Sequence, residues 1–265
     1  MKYTAVIFDL FGTLVDNLPY KEYQSVLEQM ASVLTVSSDA FRRLWSETAY
    51  ARSVGTIRTI EANIEYICQK LGVSADDVKI RLVTRIRYDF IANVMRPRED
   101  AIEVLSCLRS QGFKIGLISN CTTETPLIWK DTPFAPLFDV AVFSSSAGVR
   151  KPDPRIYQLT LEELAVKPEE CLYVGDGDSQ ELTGAARVGM HPVMIRVAYE
   201  DDTQPHLMNR EEWVDPVISS LREVLTLVGL NKNDHAGRTE NLSAVERGRR
   251  GRFCRFAGCS FGCSR

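Results

Sequence analysis

The stretch FDLFGTLVD at residues 8–16 follows a short apolar run at residues 4–8 and places Asp9 directly behind that run. A short apolar run bounded by turn residues is typical of a buried strand, and the Gly12-Thr13 pair predicts the turn that ends it. In a parallel α/β sheet, ligands bind at the carboxyl ends of the strands. The stretch therefore predicts a first buried strand with a functional carboxylate, Asp9, at its end.

Four more apolar runs of this kind occur later in the chain, at residues 113–118, 139–143, 172–175 and 192–196. Helical patterns separate these apolar runs, and two of the helical segments begin at Asp153-Pro154 and at Ser179. A final amphipathic helix is predicted at residues 217–227. Strands that alternate with helices indicate βαβ units. We therefore predict an α/β fold with a Rossmann-like parallel sheet, built from residues 1–15 and 96–230.

The connection between the first two predicted strands, residues 16–95, is far longer than a usual crossover. It contains helix punctuation, with a start at residues 37–39, a start at Thr59 with a stop at Gly72, and a capping box formed by Ser74 and Asp77. The alternation that is typical of strands is lacking. We therefore predict an inserted all-helical second domain at residues 16–95.

The composition, with 45% hydrophobic and 25% charged residues, is that of a globular protein with a sizeable core. The opening residues lack the apolar stretch of a signal peptide, and no apolar run reaches the roughly 18 residues of a membrane span. We therefore predict a cytoplasmic protein without a membrane partner. Reduced thiols are predicted at Cys68, Cys107, Cys121 and Cys171.

Residues 231–265 differ from the rest of the chain, because they are rich in Arg, Gly and Ser and poor in aliphatic residues. This composition predicts a disordered basic tail. The remaining chain is acidic, since the whole carries a net charge of -3 in spite of that tail, and an acidic body disfavours nucleic acid as a partner. Two alternatives for the tail stay open, an arginine-rich nucleic-acid contact and a metal site at Cys254, Cys259 and Cys263.

Polar side chains also follow the later predicted strands. Ser119 and Asn120 follow the second strand, and Lys151 follows the third. Asp176 lies in an acidic loop, GDGDSQE at residues 175–181, behind the fourth strand. Because the carboxyl ends of parallel strands meet at one edge of the sheet, we expect these side chains to converge on Asp9.

The converged set suits attack on an anionic, electrophilic centre. Asp9 is the candidate nucleophile, and the Ser119 hydroxyl and Lys151 ammonium are donors that neutralise substrate charge. The carboxylates of Asp9 and Asp176 offer the oxygen ligands that Mg²⁺ prefers. The expected partner is therefore a small anionic substrate, together with Mg²⁺ as a cofactor.

In these motifs and their order, the sequence resembles the haloacid dehalogenase (HAD) superfamily of hydrolases. The motifs are DxxGT at residues 9–13, Ser119, Lys151, and the acidic motif with Asp176 and Glu181. The resemblance covers about residues 3–228, with residues 16–95 as a helical cap inserted after the first motif. It implies a Rossmann-like core, a mobile cap, an aspartate that forms a covalent intermediate, and Mg²⁺.

The resemblance also assigns roles to single residues. Asp9 matches the nucleophile, and Glu181 matches an acidic position that orients water or Lys151. The metal would be held by the carboxylates of Asp9 and Asp176 and the backbone carbonyl of Phe11. Substrate contacts are expected from Gly12, Thr13, Ser119, Asn120 and Lys151.

One position departs from the family's phosphatases, which have a second aspartate two residues after the nucleophile. That position is Phe11, which cannot transfer a proton, so the site lacks an effect typically worth roughly 10² to 10⁴ in rate. An aromatic residue there is also found in the family's 2-haloacid dehalogenases. A dehalogenase and a catalytically silent binding protein are therefore the two alternatives to a phosphatase.

The acidic loop favours the phosphatase. The dehalogenases resemble Ser-x-Asn in this loop, whereas this chain has Asp176-Gly177-Asp178. Their halide-handling arginine follows a tryptophan in the cap, whereas Ser46 follows Trp45 here. We therefore favour a Mg²⁺-dependent phosphatase of a small phosphorylated metabolite, as a monomer or homodimer. Several residues of the inserted segment are candidates to contact substrate, and none is singled out: Arg42, Arg43, Trp45, Tyr50, Arg52 and Arg58.

Overall fold

The computed structural model of the protein describes residues 2–199, 210–214 and 216–230, so the predicted tail at residues 231–265 lies outside the described part. Over these residues the chain forms six strands and eleven α-helices. The strands are β1 (Ala5–Phe8), β2 (Lys114–Ser119), β3 (Val140–Phe143), β4 (Cys171–Gly175), β5 (His191–Ile195) and β6 (Val217–Ile218). The helices are α1 (Tyr20–Leu34), α2 (Ser38–Glu47), α3 (Ala49–Ser53), α4 (Ile60–Leu71), α5 (Asp77–Val94), α6 (Ala101–Ser110), α7 (Glu124–Trp129), α8 (Ser144–Ala147), α9 (Pro154–Leu164), α10 (Glu181–Arg187) and α11 (Arg222–Leu227).

All six strands are parallel and lie in one sheet, in the order β3-β2-β1-β4-β5-β6. The predicted Rossmann-like sheet is therefore confirmed. Strand β1 is central, and its last residue, Phe8, lies beside Leu117 of β2 and Val174 of β4. The strand order reverses between β1 and β4, and in open parallel sheets the crevice at such a switch point is where ligands bind.

The two faces of the sheet bury different side chains, because successive residues of a strand point to opposite faces. Val6 and Phe8 belong to the hydrophobic cluster that also contains buried residues of α6 and α11. Ala5 and Ile7 belong to a second cluster, shared with α9 and α10. All four residues of β1 are completely buried, so the strand that ends at Asp9 is held rigidly from both sides.

Five helices, α1 to α5, occupy the long connection after β1, and we call them the helical insertion. The predicted start at Thr59 is confirmed, since its side chain accepts a hydrogen bond from the main-chain N–H of Ala62 at 3.1 Å. Gly72 ends α4 with a φ of 68°, in the left-handed region that glycine adopts without strain. That residues 16–95 form a separate domain stays a prediction.

Two predicted helix ends were wrong. The cap of α5 is Asp76 and not Ser74, because Asp76 directly precedes the first helical turn and accepts the main-chain N–H of Lys79 at 2.8 Å. The last predicted helix begins later, at Arg222, because Val217–Ile218 pairs with β5 as an edge strand. Two apolar residues in a row do not distinguish a short strand from a helix start.

The cysteines at 68, 107, 121 and 171 are free thiols, as predicted, and three of them are buried while Cys107 is half-buried. Among the described residues, we find no helix that is both long and apolar enough to cross a bilayer.

Candidate active site

The predicted site residues come together at the carboxyl edge of the sheet. Asp9 directly follows β1, Ser119 is the last residue of β2, and Asp176 directly follows β4. Lys151 lies in the segment between α8 and α9, and its ammonium lies 2.5 Å from the Asp9 carboxylate. The fold thus brings functional side chains from four distant segments of the chain to one point.

Asp9 is the centre of the arrangement and is only 6% exposed. Its Oδ1 accepts a hydrogen bond from Lys151, and its Oδ2 accepts one from the Thr13 hydroxyl at 3.3 Å. The pKa of Asp9 is raised to about 6, because burial and the nearby negative charge of Asp176 together outweigh the opposing effect of Lys151. A nucleophilic carboxylate must be ionised, so the site favours cations beside Asp9.

Lys151 is completely surrounded by acceptors. Its Nζ donates to Asp9, to Glu181 Oε2 at 2.5 Å and to the carbonyl oxygen of Ile118 at 3.1 Å. Burial acts to lower the pKa of Lys151, but the negative charges of Asp9 and Glu181 outweigh burial and raise the pKa above its usual value. Lys151 is therefore a fixed positive charge beside the candidate nucleophile.

Tyr173, inside β4, is a site residue that the sequence reasoning missed. Its hydroxyl donates to Glu181 Oε2 at 2.7 Å and lies 3.2 Å from the Lys151 ammonium. Glu181 Oε1 accepts the main-chain N–H of Gly177 at 3.0 Å, so Glu181 links Lys151 to the acidic loop. The available signal was a tyrosine in a buried strand, because a buried tyrosine hydroxyl usually finds a hydrogen-bond partner.

Asn120 clamps the main chain of Lys151. Its Oδ1 accepts the Lys151 N–H at 2.9 Å, and its Nδ2 donates to the Lys151 carbonyl at 3.2 Å. This pair of bonds fixes where the lysine side chain starts. The side-chain amide of Asn120 is therefore engaged in positioning Lys151, and the predicted contact of Asn120 with substrate stays a prediction.

Asp176 is 1% exposed and is bound by two other side chains. Its Oδ2 accepts from Arg210 Nη2 at 2.7 Å and from Asn17 Nδ2 at 3.4 Å, while its Oδ1 accepts the main-chain N–H of Asp178 at 3.0 Å. The guanidinium of Arg210 is itself almost fully buried, with 4% of its side chain exposed. Sequence reasoning missed Arg210, which is far from Asp176 along the chain.

Three buried carboxylates, those of Asp9, Asp176 and Glu181, have oxygens that all lie within 4.8 Å of one another. Like charges at such distances are stable only with cations between or beside them. Oxygen donors of this kind are those of a Mg²⁺ site, so the residues present fit the metal that the sequence predicts. Glu181 already accepts from Lys151 and Tyr173, which leaves Asp9 and Asp176 as the candidate ligands.

Gly12 makes the close approach of the first turn and the acidic loop possible. Its φ is 81°, and a Cβ atom added there would lie 2.2 Å from Asp176 Oδ2, far inside any tolerated contact. The glycine is thus required both by its backbone conformation and by its neighbour. The neighbouring Phe11 side chain packs against the hydrophobic core and lines the cavity above Asp9.

A cavity of about 370 Å³ lies between the sheet edge and the helical insertion, with Asp9 and Lys151 in its wall. The lining also includes apolar side chains and three arginines, among them Phe11, Leu18, Tyr23, Ile91, Arg52, Arg87 and Arg150. Ser119 is completely buried, and its Oγ has no hydrogen-bond partner among the described residues. A buried hydroxyl left without a partner is an available donor for a ligand oxygen.

Arg150 joins the two sides of this cavity. Its guanidinium donates to the Ser53 hydroxyl of the helical insertion at 3.2 Å and to the Ser179 hydroxyl of the acidic loop at 3.0 Å. A further contact across the same boundary runs from the Ser144 hydroxyl to the Ser53 carbonyl at 2.6 Å. The helical insertion therefore sits against the sheet edge and closes the cavity from above.

The family model for haloacid dehalogenase-like hydrolases matches residues 3–189, which include every site residue described above except Arg210. The chain belongs to this hydrolase family. The membership agrees with the resemblance that the strand-end motifs indicate.

Two relatives of this hydrolase carry different names. A glyceraldehyde 3-phosphate phosphatase from Methanopyrus kandleri is 26% identical over 231 residues, which cover 84% of this chain and 96% of the relative. A (S)-2-haloacid dehalogenase from Pseudomonas putida is 27% identical over 182 residues, which cover 64% of this chain and 74% of the relative. Among solved structures, a HAD phosphatase from Thermococcus onnurineus covers 85% of this chain and 98% of its own, with 26% identity and a TM-score of 0.58.

Proposed function

We propose that this hydrolase is a Mg²⁺-dependent phosphatase of a small phosphorylated metabolite, acting through a covalent aspartyl-phosphate. The observation that carries the proposal is a buried Asp9 with the Lys151 ammonium on one side and Asp176 on the other, in the wall of a cavity between the sheet edge and the helical insertion. A phosphate group brings negative charge to its attacker, so attack by a carboxylate needs positive charge close by. The phosphatase names of two matching proteins support the same assignment.

In the first step, an Asp9 carboxylate oxygen attacks phosphorus, and the bond from phosphorus to the ester oxygen breaks. Lys151, with the Ser119 hydroxyl, binds the phosphoryl oxygens and offsets their charge, and the Thr13 hydroxyl orients Asp9. Mg²⁺, when held by Asp9, Asp176 and the Phe11 carbonyl, would shield the phosphate charge. In the second step, water attacks phosphorus, the bond from phosphorus to the Asp9 oxygen breaks, and the water proton passes to the departing phosphate or to solvent, which regenerates the Asp9 carboxylate.

Phe11 sets a limit on the leaving group. Its side chain offers no proton to the departing oxygen, so the alcohol leaves as an anion or takes a proton from water or from the substrate itself. Leaving groups of low pKa, such as acyl and aryl oxygens, should therefore depart fastest. The reaction remains possible for alkyl esters at a lower rate.

The helical insertion acts as a cap over the core in this proposal, with the core at residues 1–15 and 96–230 and the cap at residues 16–95. Its helices cover the carboxyl edge of the sheet, and Arg150 ties them to the acidic loop. Excluding water from the cavity strengthens each electrostatic contact around Asp9. The cap also supplies the side chains that meet the rest of the substrate.

Dehalogenation is the second candidate, and Phe11 is the observation that favours it. Displacement of halide from carbon by Asp9 needs no leaving-group proton, so the absence of an acid at this position would carry no penalty. A haloacid dehalogenase is also among the matching relatives. Against it, the acidic loop places the carboxylate of Asp176 within reach of Asp9, an arrangement that calls for a cation.

The test measures phosphate release from acetyl phosphate and from an aryl phosphate, with Mg²⁺ and with a chelator. We expect release that needs both Mg²⁺ and Asp9. Asp9→Asn should abolish it, while Asp131→Asn, the same change at an exposed carboxyl far from the cavity, should leave it unchanged. Release of chloride from 2-chloropropionate without phosphate release would replace the phosphatase by the dehalogenase, and neither product would indicate a silent site.

A further inference from the structure

Two arginines of the helical insertion are buried in the wall of the cavity that holds Asp9. Arg52 lies at the end of α3 and Arg87 in α5, and they are 7% and 4% exposed. Long charged side chains are rarely buried to this extent unless they are paired. Both guanidiniums therefore call for negative partners.

Arg87 has its partner within the protein. Its Nε donates to Glu124 Oε1 at 2.8 Å, and both side chains are almost completely buried. Burial alone would raise the pKa of Glu124, but the charge of Arg87 and the hydrogen bonds to the carboxylate together outweigh burial and hold that pKa below its usual value. The pair of Arg87 and Glu124 is thus neutral overall.

Arg52 has no such partner among the described residues. Its Nη1 donates to the Trp45 carbonyl at 2.6 Å and to the Thr48 hydroxyl, both neutral acceptors, and its guanidinium lies 4.1 Å from the centre of the Trp45 ring. Its Nε finds no acceptor in the described part of the chain. Burial lowers the pKa of Arg52 to about 10, so the side chain is still positive at neutral pH.

The cluster formed by Arg52, Arg87 and Glu124 therefore carries one net positive charge at the cavity wall. A buried charge without a counter-ion is strongly unfavourable, and the favourable complement is an anion that the cavity admits. The phosphate of the substrate is already matched by Lys151 and Ser119 at the sheet edge. Arg150 also lines the cavity and donates to two neutral serine hydroxyls, so the excess positive charge of the cluster matches a second anionic group of the substrate.

We propose that Arg52 binds a carboxylate of the substrate while the phosphate lies at Asp9 and Lys151, so that the preferred substrates are small phosphate esters of hydroxy acids. The inference rests on the proposed phosphatase function and specifies its substrate class. The guanidinium lies over the Trp45 ring and is fixed by two hydrogen bonds, and its remaining N–H groups have the planar geometry that a carboxylate accepts. The cavity of about 370 Å³ lies at the lower end of the range of small-molecule sites, which suits a small substrate of this kind.

The test compares matched pairs of esters that differ in the carboxylate. The pairs are 2-phosphoglycolate with 2-hydroxyethyl phosphate, and 3-phosphoglycerate with glycerol 3-phosphate. Dissociation constants are measured by calorimetry on Asp9→Asn, which binds without turnover, and kcat/KM is measured on the wild type. We expect the carboxylate ester of at least one pair to bind about tenfold to a hundredfold more tightly, the range of a charge-assisted hydrogen bond.

Variants at Arg52 then assign the preference to this residue. Arg52→Met in the Asp9→Asn background should bring the ratio of the two dissociation constants close to one, and Arg52→Lys should keep part of it. Arg85→Met, at an exposed arginine of α5, should leave the ratio as it is. If Arg52→Met does not fold, the wild-type ratios and Arg52→Lys decide.

Three outcomes overturn the inference. Equal affinity for both members of both pairs would show that no carboxylate is bound. A loss in Arg52→Met that is equal for both members would mean that Arg52 contacts the phosphate itself. An unchanged ratio in a folded Arg52→Met variant would place the carboxylate elsewhere. Failure of the proposed function gives a different result, because the wild type would then hydrolyse no ester. The dissociation constants measured on Asp9→Asn would still show whether the carboxylate is bound.

Discussion

Replacing Arg210 by methionine should make Mg²⁺ bind more tightly to the site, because the Arg210 guanidinium already binds the carboxylate of Asp176 that the metal would use. The two charged groups are 2.7 Å apart and almost fully buried. At that separation and an effective dielectric constant of about 20, their attraction is about 6 kcal/mol before the cost of desolvation is subtracted. Removing one partner of a buried ion pair typically costs about 3 to 5 kcal/mol net.

A metal that binds Asp176 in the wild type must therefore break or weaken this ion pair, whereas in Arg210→Met it meets an uncompensated carboxylate. Water solvates the released guanidinium and returns part of the energy. We expect the dissociation constant for Mg²⁺ to fall by about tenfold to a hundredfold, which corresponds to roughly 1.4 to 2.8 kcal/mol. The metal-free variant should also melt at a lower temperature, and Mg²⁺ should restore much of the loss.

Calorimetric titration with Mg²⁺ measures the affinity directly, and thermal melting with Mg²⁺ or chelator measures the linked stability. Arg222→Met is the matched control, because Arg222 pairs with Glu103 at the exposed surface, where such pairs contribute little. Equal dissociation constants for wild type and Arg210→Met, together with equal Mg²⁺-induced shifts in melting temperature, would refute the competition between Arg210 and the metal.

Three further predictions concern the sheet edge. Burial raises the folded-state pKa of Asp9 from 3.8 to about 6, so ionisation of Asp9 favours unfolding. The metal-free wild type should therefore lose up to about 3 kcal/mol of its free energy of unfolding as the pH rises between these two pKa values. Asp9→Asn should lack that loss in urea denaturation across pH, and parallel curves would contradict the raised pKa. Tyr173→Phe removes the buried hydroxyl that donates to Glu181 and should lower the free energy of unfolding, measured by urea denaturation, by about 1 to 3 kcal/mol. The control Tyr66→Phe, at a tyrosine that is 40% exposed, should change it little. Equal losses in the two variants would show that the hydrogen bond from Tyr173 to Glu181 does not stabilise the fold. Phe11→Asp supplies the missing acid and should raise kcat/KM for an alkyl phosphate relative to an aryl phosphate by about 10²-fold or more, and an unchanged ratio would mean that protonation of the leaving group does not limit the reaction.

The strand ends could be predicted from the sequence because local pattern alone determines them. Asp9, Ser119 and Asp176 each stand at or directly behind an apolar run, and the parallel sheet then brings them to one edge. No long-range information is needed for that step, since the geometry of parallel strands supplies it. The same holds for Thr59 and Gly72, whose roles at the ends of α4 depend on neighbours within one turn.

Arg210, which the sequence did not reveal, acts through a contact that is distant along the chain. Arg210 reaches Asp176 because the next residue, Glu211, accepts the main-chain N–H groups of Leu182 and Thr183 at the start of α10. Nothing in the local pattern of residues 210–214 indicates such a contact. Arg52 is one of several arginines in the helical insertion, and the five-residue helix α3 is too short for periodicity to predict its burial.

Arg150 has a consequence for how ligands enter and leave. It is the chain neighbour of Lys151, yet its guanidinium ties the helical insertion to the acidic loop. If the helical insertion moves outward as a cap would, these two hydrogen bonds must break, whereas Asn120 keeps the main chain of Lys151 anchored. Asp9 and Lys151 would thus stay aligned while the cavity opens. Substitutions of Arg150 should change the rate of product release and leave the rate of the chemical step at Asp9 unchanged.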